Sequence, residues 1–225
     1  MCFSAGASFT ASAVLAVTGV LTIKKTEKRS QLLFAAIPII FAVQQFTEGF
    51  VWLSLSDSAY VSFNTLSVYV FLIFAQVLWP TWVPLSILLL EPKAKRKPSL
   101  YILTLLGGIV SSVLAYYLIN YHPVAQINSC HIQYVLSFPM STYMFSGMFY
   151  FIPTVVPLFI SGIKRMWVFG AAIMISYIIT QLFYIEFVIS VWCFFSAILS
   201  VIIYYTISKI NEGDRSDKMK EWYKN

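Results

Sequence analysis

All fifteen Lys and Arg residues of this 225-residue chain fall in four clusters, each lying between or after long apolar segments. The clusters are Lys24, Lys25, Lys28 and Arg29; then Lys93, Lys95, Arg96 and Lys97; then Lys164 and Arg165; and finally five bases from Lys209 onward. Charge is costly at membrane depth, and positive residues gather on the cytoplasmic side of a bilayer. The pattern therefore restricts the chain to helices that cross a membrane. Composition agrees: 59% of residues are hydrophobic, 11% are charged, and mean hydropathy is +0.79, more apolar than a soluble core of this size can hide. A net charge of +6 suggests a nucleic-acid partner only where the bases form one surface. Grouped between apolar segments they mark topology, so the expected partner is the lipid bilayer and no nucleic acid is expected.

The apolar segments are residues 3–23, 31–55, 63–90, 100–119 and 143–163, followed by one tract from 166 to 208. About 20 residues cross a 30 Å hydrocarbon core, so the last tract is too long for one crossing. Bases at both of its ends demand an even number of crossings, and a turn near 184–190 gives helices over 166–184 and 187–208. The reading is an all-α integral membrane protein. It has seven transmembrane helices in a domain spanning residues 1–208, with a cytoplasmic tail at 209–225. The clusters alternate along these helices, which puts the N-terminus outside and the C-terminus in the cytoplasm. The first segment lacks a basic leader and is followed by bases, so it reads as a reverse-oriented anchor and not a cleaved signal peptide.

Within the second segment the stretch QQFTEGFVW places Gln44, Gln45 and Glu48 in apolar surroundings. At helical spacing Gln45, Glu48 and Trp52 share a face, and Gln44 stands one turn before Glu48. A carboxylate at that depth needs a partner, water or a proton, and intramembrane ionisable groups commonly serve proton or substrate pathways. The competing role is a protonated interhelical hydrogen-bond residue. A gapless internal match, AAIPIIFAVQQF at 35–46 against AAIMISYIITQL at 171–182, aligns Gln45 with Gln181 and sets Glu48 opposite Tyr184. It implies a parallel 3+1+3 repeat, a transporter plan with the site at the repeat interface. The expected ligand or proton site is thus Glu48, Gln44, Gln45, Trp52, Gln181 and Tyr184, with a small-molecule ligand.

The same outer side carries Cys2, His122, Cys130 and His131. Thiolate and imidazole suit zinc or copper, although no paired ligand spacing supports a metal site. A Cys2–Cys130 disulfide is the other reading of the two thiols in an oxidising compartment. These residues define the alternative function, a metal- or thiol-dependent membrane enzyme or redox protein. Ser4, Ser8 and Ser12 recur every four residues with several alanines, a spacing that lets membrane helices approach closely. The neighbour is another helix of this chain, a second copy (a homo-oligomer) or a membrane partner. The run VLWPTWVP is expected to kink its helix and to anchor Trp79 and Trp82 at the headgroups. No helix carries a lysine for a retinal Schiff base. Phosphate-loop and GxSxG motifs are lacking, and both histidines fall in a loop, which disfavours a metallohydrolase or bis-histidine haem.

The opening MCFSAGASF together with IPIIFAVQQFTEGFVWLSL resembles an uncharacterised family of bacterial multi-pass membrane proteins, known only as a domain of unknown function. The resemblance covers mainly the first 55 residues. It implies a bacterial inner-membrane location and places Cys2, Gln45, Glu48 and Trp52 in the family pattern, without assigning an activity. More loosely, the helix plan is similar to the sugar-efflux and PQ-loop transporters. The Pro-Gln dipeptide of the latter is absent, since Pro38 and Gln44 stand six residues apart.

Overall fold

The computed structural model describes residues 4–138 and 140–222, with the side chains of 140–146 and 214–222 excepted. Seven helices follow one another: α1 (Ala5–Lys24), α2 (Arg29–Ser56), α3 (Ser58–Leu90), α4 (Ala94–Asn120), α5 (Met140–Ile160), α6 (Met166–Phe183) and α7 (Ile185–Gly213). Six of these are long and apolar enough to cross a membrane, and α5 contributes the shorter apolar stretch Gly147–Ile160. The chain turns at Tyr184, inside the tract that had to be divided, and the helix that ends α7 runs on to Trp222. Neighbours in sequence pack together, α3 also meets α5, and α7 returns to α1 and α2. The outward faces of α1, α4 and α6 carry apolar stripes, among them Val17, Ile109 and Leu182, all strongly exposed. Stripes of that extent suit a lipid environment.

One departure from an all-α fold lies in the long connection after α4. Strands β1 (Val124–Asn128) and β2 (His131–Val135) pair antiparallel with Asn128 opposite His131. Ser129 takes the left-handed φ of 56° that lets the two-residue turn close. Alternation explains the docking: Ala125, Ile132 and Tyr134 point into the bundle while Val124, Gln126 and Asn128 face out. The hairpin lies across one end of the bundle, on α2 and α7. The opposite end carries the first three Lys and Arg clusters and Lys209.

The small-residue face of α1 packs on α2. Ser8, Ser12, Gly19 and Thr22 are buried, and the Ser12 hydroxyl donates to the Ala42 carbonyl at 2.8 Å. A Cβ on Gly19 would stand 2.7 Å from the Ile39 nitrogen, closer than atoms can approach. Ser4 has a different task, capping α1 by accepting from the Ala7 N–H at 3.2 Å.

Within α3 the stretch Ile73–Leu78 winds into a π-helical turn just before Pro80. In a π turn the carbonyl of Ala75 looks five residues ahead, to Pro80, which has no N–H to give. The Tyr150 hydroxyl of α5 supplies the missing donor at 2.6 Å. Trp79 and Trp82 are both engaged with partners inside the bundle. Trp79 is buried, stacks on Phe41 at 4.1 Å and donates to Gln44 Oε1 at 2.9 Å. Trp82 donates to the Leu33 carbonyl at 3.0 Å. In both cases the indole N–H finds its acceptor on α2.

Two buried polar knots close the basic end. Gln31 donates to Asn211 Oδ1 at 2.7 Å and accepts from the backbone of Glu27 and Lys28, while Asn211 donates to the Lys25 carbonyl at 2.7 Å. Glu91 accepts from Ser161 Oγ, from the Gly162 N–H at 2.6 Å and from the Lys93 N–H at 2.9 Å. Arg96 meanwhile donates to the Ile160 carbonyl that ends α5. Each knot holds a loop to a helix end and has its polar atoms paired.

Candidate functional site

The middle of α2 is helical without interruption, so Gln44, Gln45, Glu48 and Trp52 come to one side of it as the spacing requires. All four are buried, with Gln44 and Gln45 at 0% exposure and Glu48 at 1%. Across from them Ser190 of α7 donates to Glu48 Oε1 at 2.5 Å. Tyr134 reaches in from the hairpin, stacked on Phe71 at 4.8 Å. Burial pushes its phenol well above the ordinary tyrosine range, and the nearby Glu48 pushes it further.

Most of the hydrogen-bonding capacity in this cluster is unused among the described residues. Gln44 Nε2, both amide atoms of Gln45, Trp52 Nε1 and the Tyr134 hydroxyl are buried without a well-formed hydrogen bond, although Gln45 stands near Glu48 and Gln44 near Cys193. The basic-end knots form the control within the same molecule: there, buried amide and carboxyl groups are paired. An unpaired buried polar atom costs about 1–3 kcal/mol, so a cluster of them is arranged for something that occupies it, such as water, an ion or a ligand.

Beside this cluster lies a cavity of about 440 Å³ lined from α3 (Ala75, Gln76), α5 (Gly147, Tyr150), α6 (Tyr177, Gln181), α7 and the end of the hairpin. Glu48 does not line it. Cys193 does, and it stands within electrostatic reach of Glu48 and next to Gln44, so one α7 residue joins cavity and cluster. A smaller apolar cavity of about 60 Å³ shares Tyr150, Trp192 and Cys193.

Of the expected site residues, Gln44, Gln45, Glu48 and Trp52 are thus assembled together. Gln181 belongs to the larger cavity and donates to the Tyr177 hydroxyl at 2.9 Å. Tyr184 packs on His131 at 5.2 Å, and neither residue bonds Glu48. His122 meets the Tyr69 hydroxyl at 3.0 Å, whereas His131 is buried and stacks on Phe187 at 4.8 Å. Cys130 is disulfide-bonded and Cys193 is a free, buried thiol, while Cys2 lies outside the described residues. A thiol in a disulfide is no thiolate ligand, and among the described residues no three His, Cys, Asp or Glu side chains converge as a metal would require. The zinc or copper set of Cys2, Cys130, His122 and His131 is therefore not assembled among them.

A sequence profile of one protein family matches residues 1–218. The chain belongs to DUF6629, a family of unknown function. Comparison with curated proteins and with solved structures returned no match. The DUF6629 match extends far beyond the 55 residues that carried the resemblance, and the Glu48 cluster, the hairpin and the larger cavity all fall inside it. Ser190, Trp79 and Tyr134 are partners that sequence reading missed. Ser190 and Trp79 come from helices with no local polar motif, and Tyr134 from a segment read as loop. The alternation in VAQIN and HIQYV around a two-residue turn was the available signal for the hairpin.

Proposed function

We propose that this chain is a multi-pass membrane protein of a bacterial inner membrane that binds or transports a small molecule or ion. Glu48 is its ionisable group, with Gln44, Gln45 and Trp52 as hydrogen-bonding neighbours. The observation that carries the reading is the surplus of unpartnered buried polar atoms around Glu48. A carboxyl kept only to join two helices needs Ser190 and little more. In the orientation that the basic clusters favour, the hairpin end faces outward and the Glu48 cluster lies in the outer half of the membrane.

The repeat is part of the same reading. Its alignment pairs Phe41 with Tyr177, but Phe41 stacks on Trp79 at 4.1 Å whereas Tyr177 stands edge-on to Trp192 at 4.8 Å, and these tryptophans are not equivalent positions. The repeat therefore rests on the sequence match, with the larger cavity beside the second unit.

The test uses the full chain in proteoliposomes and dicyclohexylcarbodiimide, which reacts with protonated carboxyls in apolar surroundings. Glu48 is expected to label in a pH-dependent manner while Glu91, fully paired, stays unlabelled. Glu48→Gln is expected to keep the folded protein and abolish proton-coupled flux. Loss of the folded protein on Glu48→Gln, or an unreactive Glu48 at every pH, refutes a working carboxyl and leaves a structural one.

A further inference from the structure

The cavity between α3, α5, α6 and α7 is a separate feature from the Glu48 cluster, and its lining is chemically selective. Among the described residues no Lys, Arg, His, Asp or Glu side chain faces it. A charged ligand would therefore be buried without a counter-ion, at a cost that excludes tight binding. What the walls offer is aromatic surface and neutral hydrogen-bonding groups. Tyr150 and Tyr177 stand edge-on to Trp192 at 5.7 and 4.8 Å, so rings on three sides can hold a flat molecule. Trp192 presents its ring to the cavity, while its Nε1 is sealed from it. The Tyr177 hydroxyl accepts from Gln181, which leaves its own proton to donate elsewhere, and the Gln76 amide joins the same lining. Tyr150 is already committed to the Ala75 carbonyl. The Tyr177 proton and the Gln76 N–H groups are the donors that carbonyl oxygens of an occupant can meet. A volume of about 440 Å³ is in the range of small-molecule pockets.

We propose that this cavity binds an uncharged, planar molecule bearing carbonyl acceptors, which accept from the Tyr177 hydroxyl and the Gln76 amide while its plane packs on the surrounding rings. The proposal goes beyond the Glu48 reading and stands on different residues.

The test is a titration of the full chain in lipid nanodiscs with 2-methyl-1,4-naphthoquinone, followed by quenching of tryptophan fluorescence. Saturable quenching is expected. Two competitors define the chemistry: naphthalene, flat but without carbonyls, and 1,4-naphthoquinone-2-sulfonate, which is anionic. Each is expected to bind at least about tenfold more weakly, since one lacks the acceptors and the other brings an uncompensated charge. Tyr177→Phe keeps the ring and loses the donor, and is expected to weaken binding by roughly three- to tenfold. Gly147 is exposed, and a Cβ there would stand 3.6 Å from the Tyr177 hydroxyl, so Gly147→Leu fills the entrance without disturbing the core and is expected to abolish saturation. Quenching that rises linearly with quinone overturns the proposal. So does naphthalene or the sulfonate binding as tightly as the quinone, or an unchanged affinity in Gly147→Leu. Failure here alongside pH-dependent labelling of Glu48 would leave the Glu48 reading standing and remove only this one.

Discussion

Gln45 separates a structural role from a functional one at the scale of single residues. It is fully buried beside Glu48, and neither of its amide atoms makes a well-formed hydrogen bond among the described residues. Replacing a buried, unsatisfied polar group by an apolar one of similar shape is neutral or stabilising. Gln45→Leu is therefore expected to hold or raise the thermal midpoint in detergent while abolishing any Glu48-dependent flux. Gln31→Leu is its counterpart: it breaks a knot whose atoms are all paired and strands Asn211, and it is expected to destabilise by about 1–3 kcal/mol. If both substitutions destabilise alike, Gln45 is structural. Helical spacing made the Gln44–Trp52 face legible in the sequence, because those residues share one helix. Ser190 was not legible, since its contact with Glu48 spans 142 residues and any of several hydroxyls on any helix could have made it.

Elements show where local rules gave way to packing. The proline signature in α3 was readable as a kink. That the helix takes a π turn there, closed by Tyr150 from another helix, depends on a contact that no local pattern encodes. Tyr150→Phe is expected to leave the Ala75 carbonyl unpaired and lower stability by about 1–3 kcal/mol, read as a drop in thermal midpoint. Just past that turn α4 crosses so closely that a Cβ on Gly107 would fall 1.8 Å from the Pro80 carbonyl oxygen. Backbone cannot yield as a side chain does, so Gly107→Ala is expected to cost at least about 1–3 kcal/mol or to prevent folding. The hairpin has its own pH dependence. Burial pulls the imidazole of His131 below its ordinary value of 6.5, so the folded chain holds this proton less readily than the unfolded one. The stabilisation from neutral His131 is therefore full above about pH 6.5 and is lost as pH falls below that. Hydrogen exchange at Ile132 and Tyr134 is expected to quicken between pH 7.5 and 5.5 relative to a His131→Phe chain measured at the same pH values.

For the whole molecule the alternation of basic clusters made the seven-helix count legible, because charge and span length are properties of the chain itself. The arrangement of those helices, which brings α7 back to α1 and α2 and so delivers Ser190 to Glu48, depends on side-chain shapes across the bundle. The hairpin end carries the disulfide-bonded Cys130, while Cys193 is free and buried among the three cysteines of the chain. We propose Cys2 as its intrachain partner, a pairing that would tie the N-terminal end of the chain to the hairpin that lies across α2 and α7. Orientation and pairing can be checked together with a membrane-impermeant maleimide on intact cells. The native chain is expected to stay unlabelled, because the bonded thiols have no free sulfur and Cys193 is out of reach. Cys2→Ser is expected to expose Cys130 to labelling from outside, and the thermal midpoint is expected to fall by an amount matching about 2–5 kcal/mol for a lost disulfide. Labelling of Cys130 in the Cys2→Ser chain only after the cells are broken would place the hairpin end in the cytoplasm and reverse the topology. Labelling of the unmodified chain would refute the pairing itself.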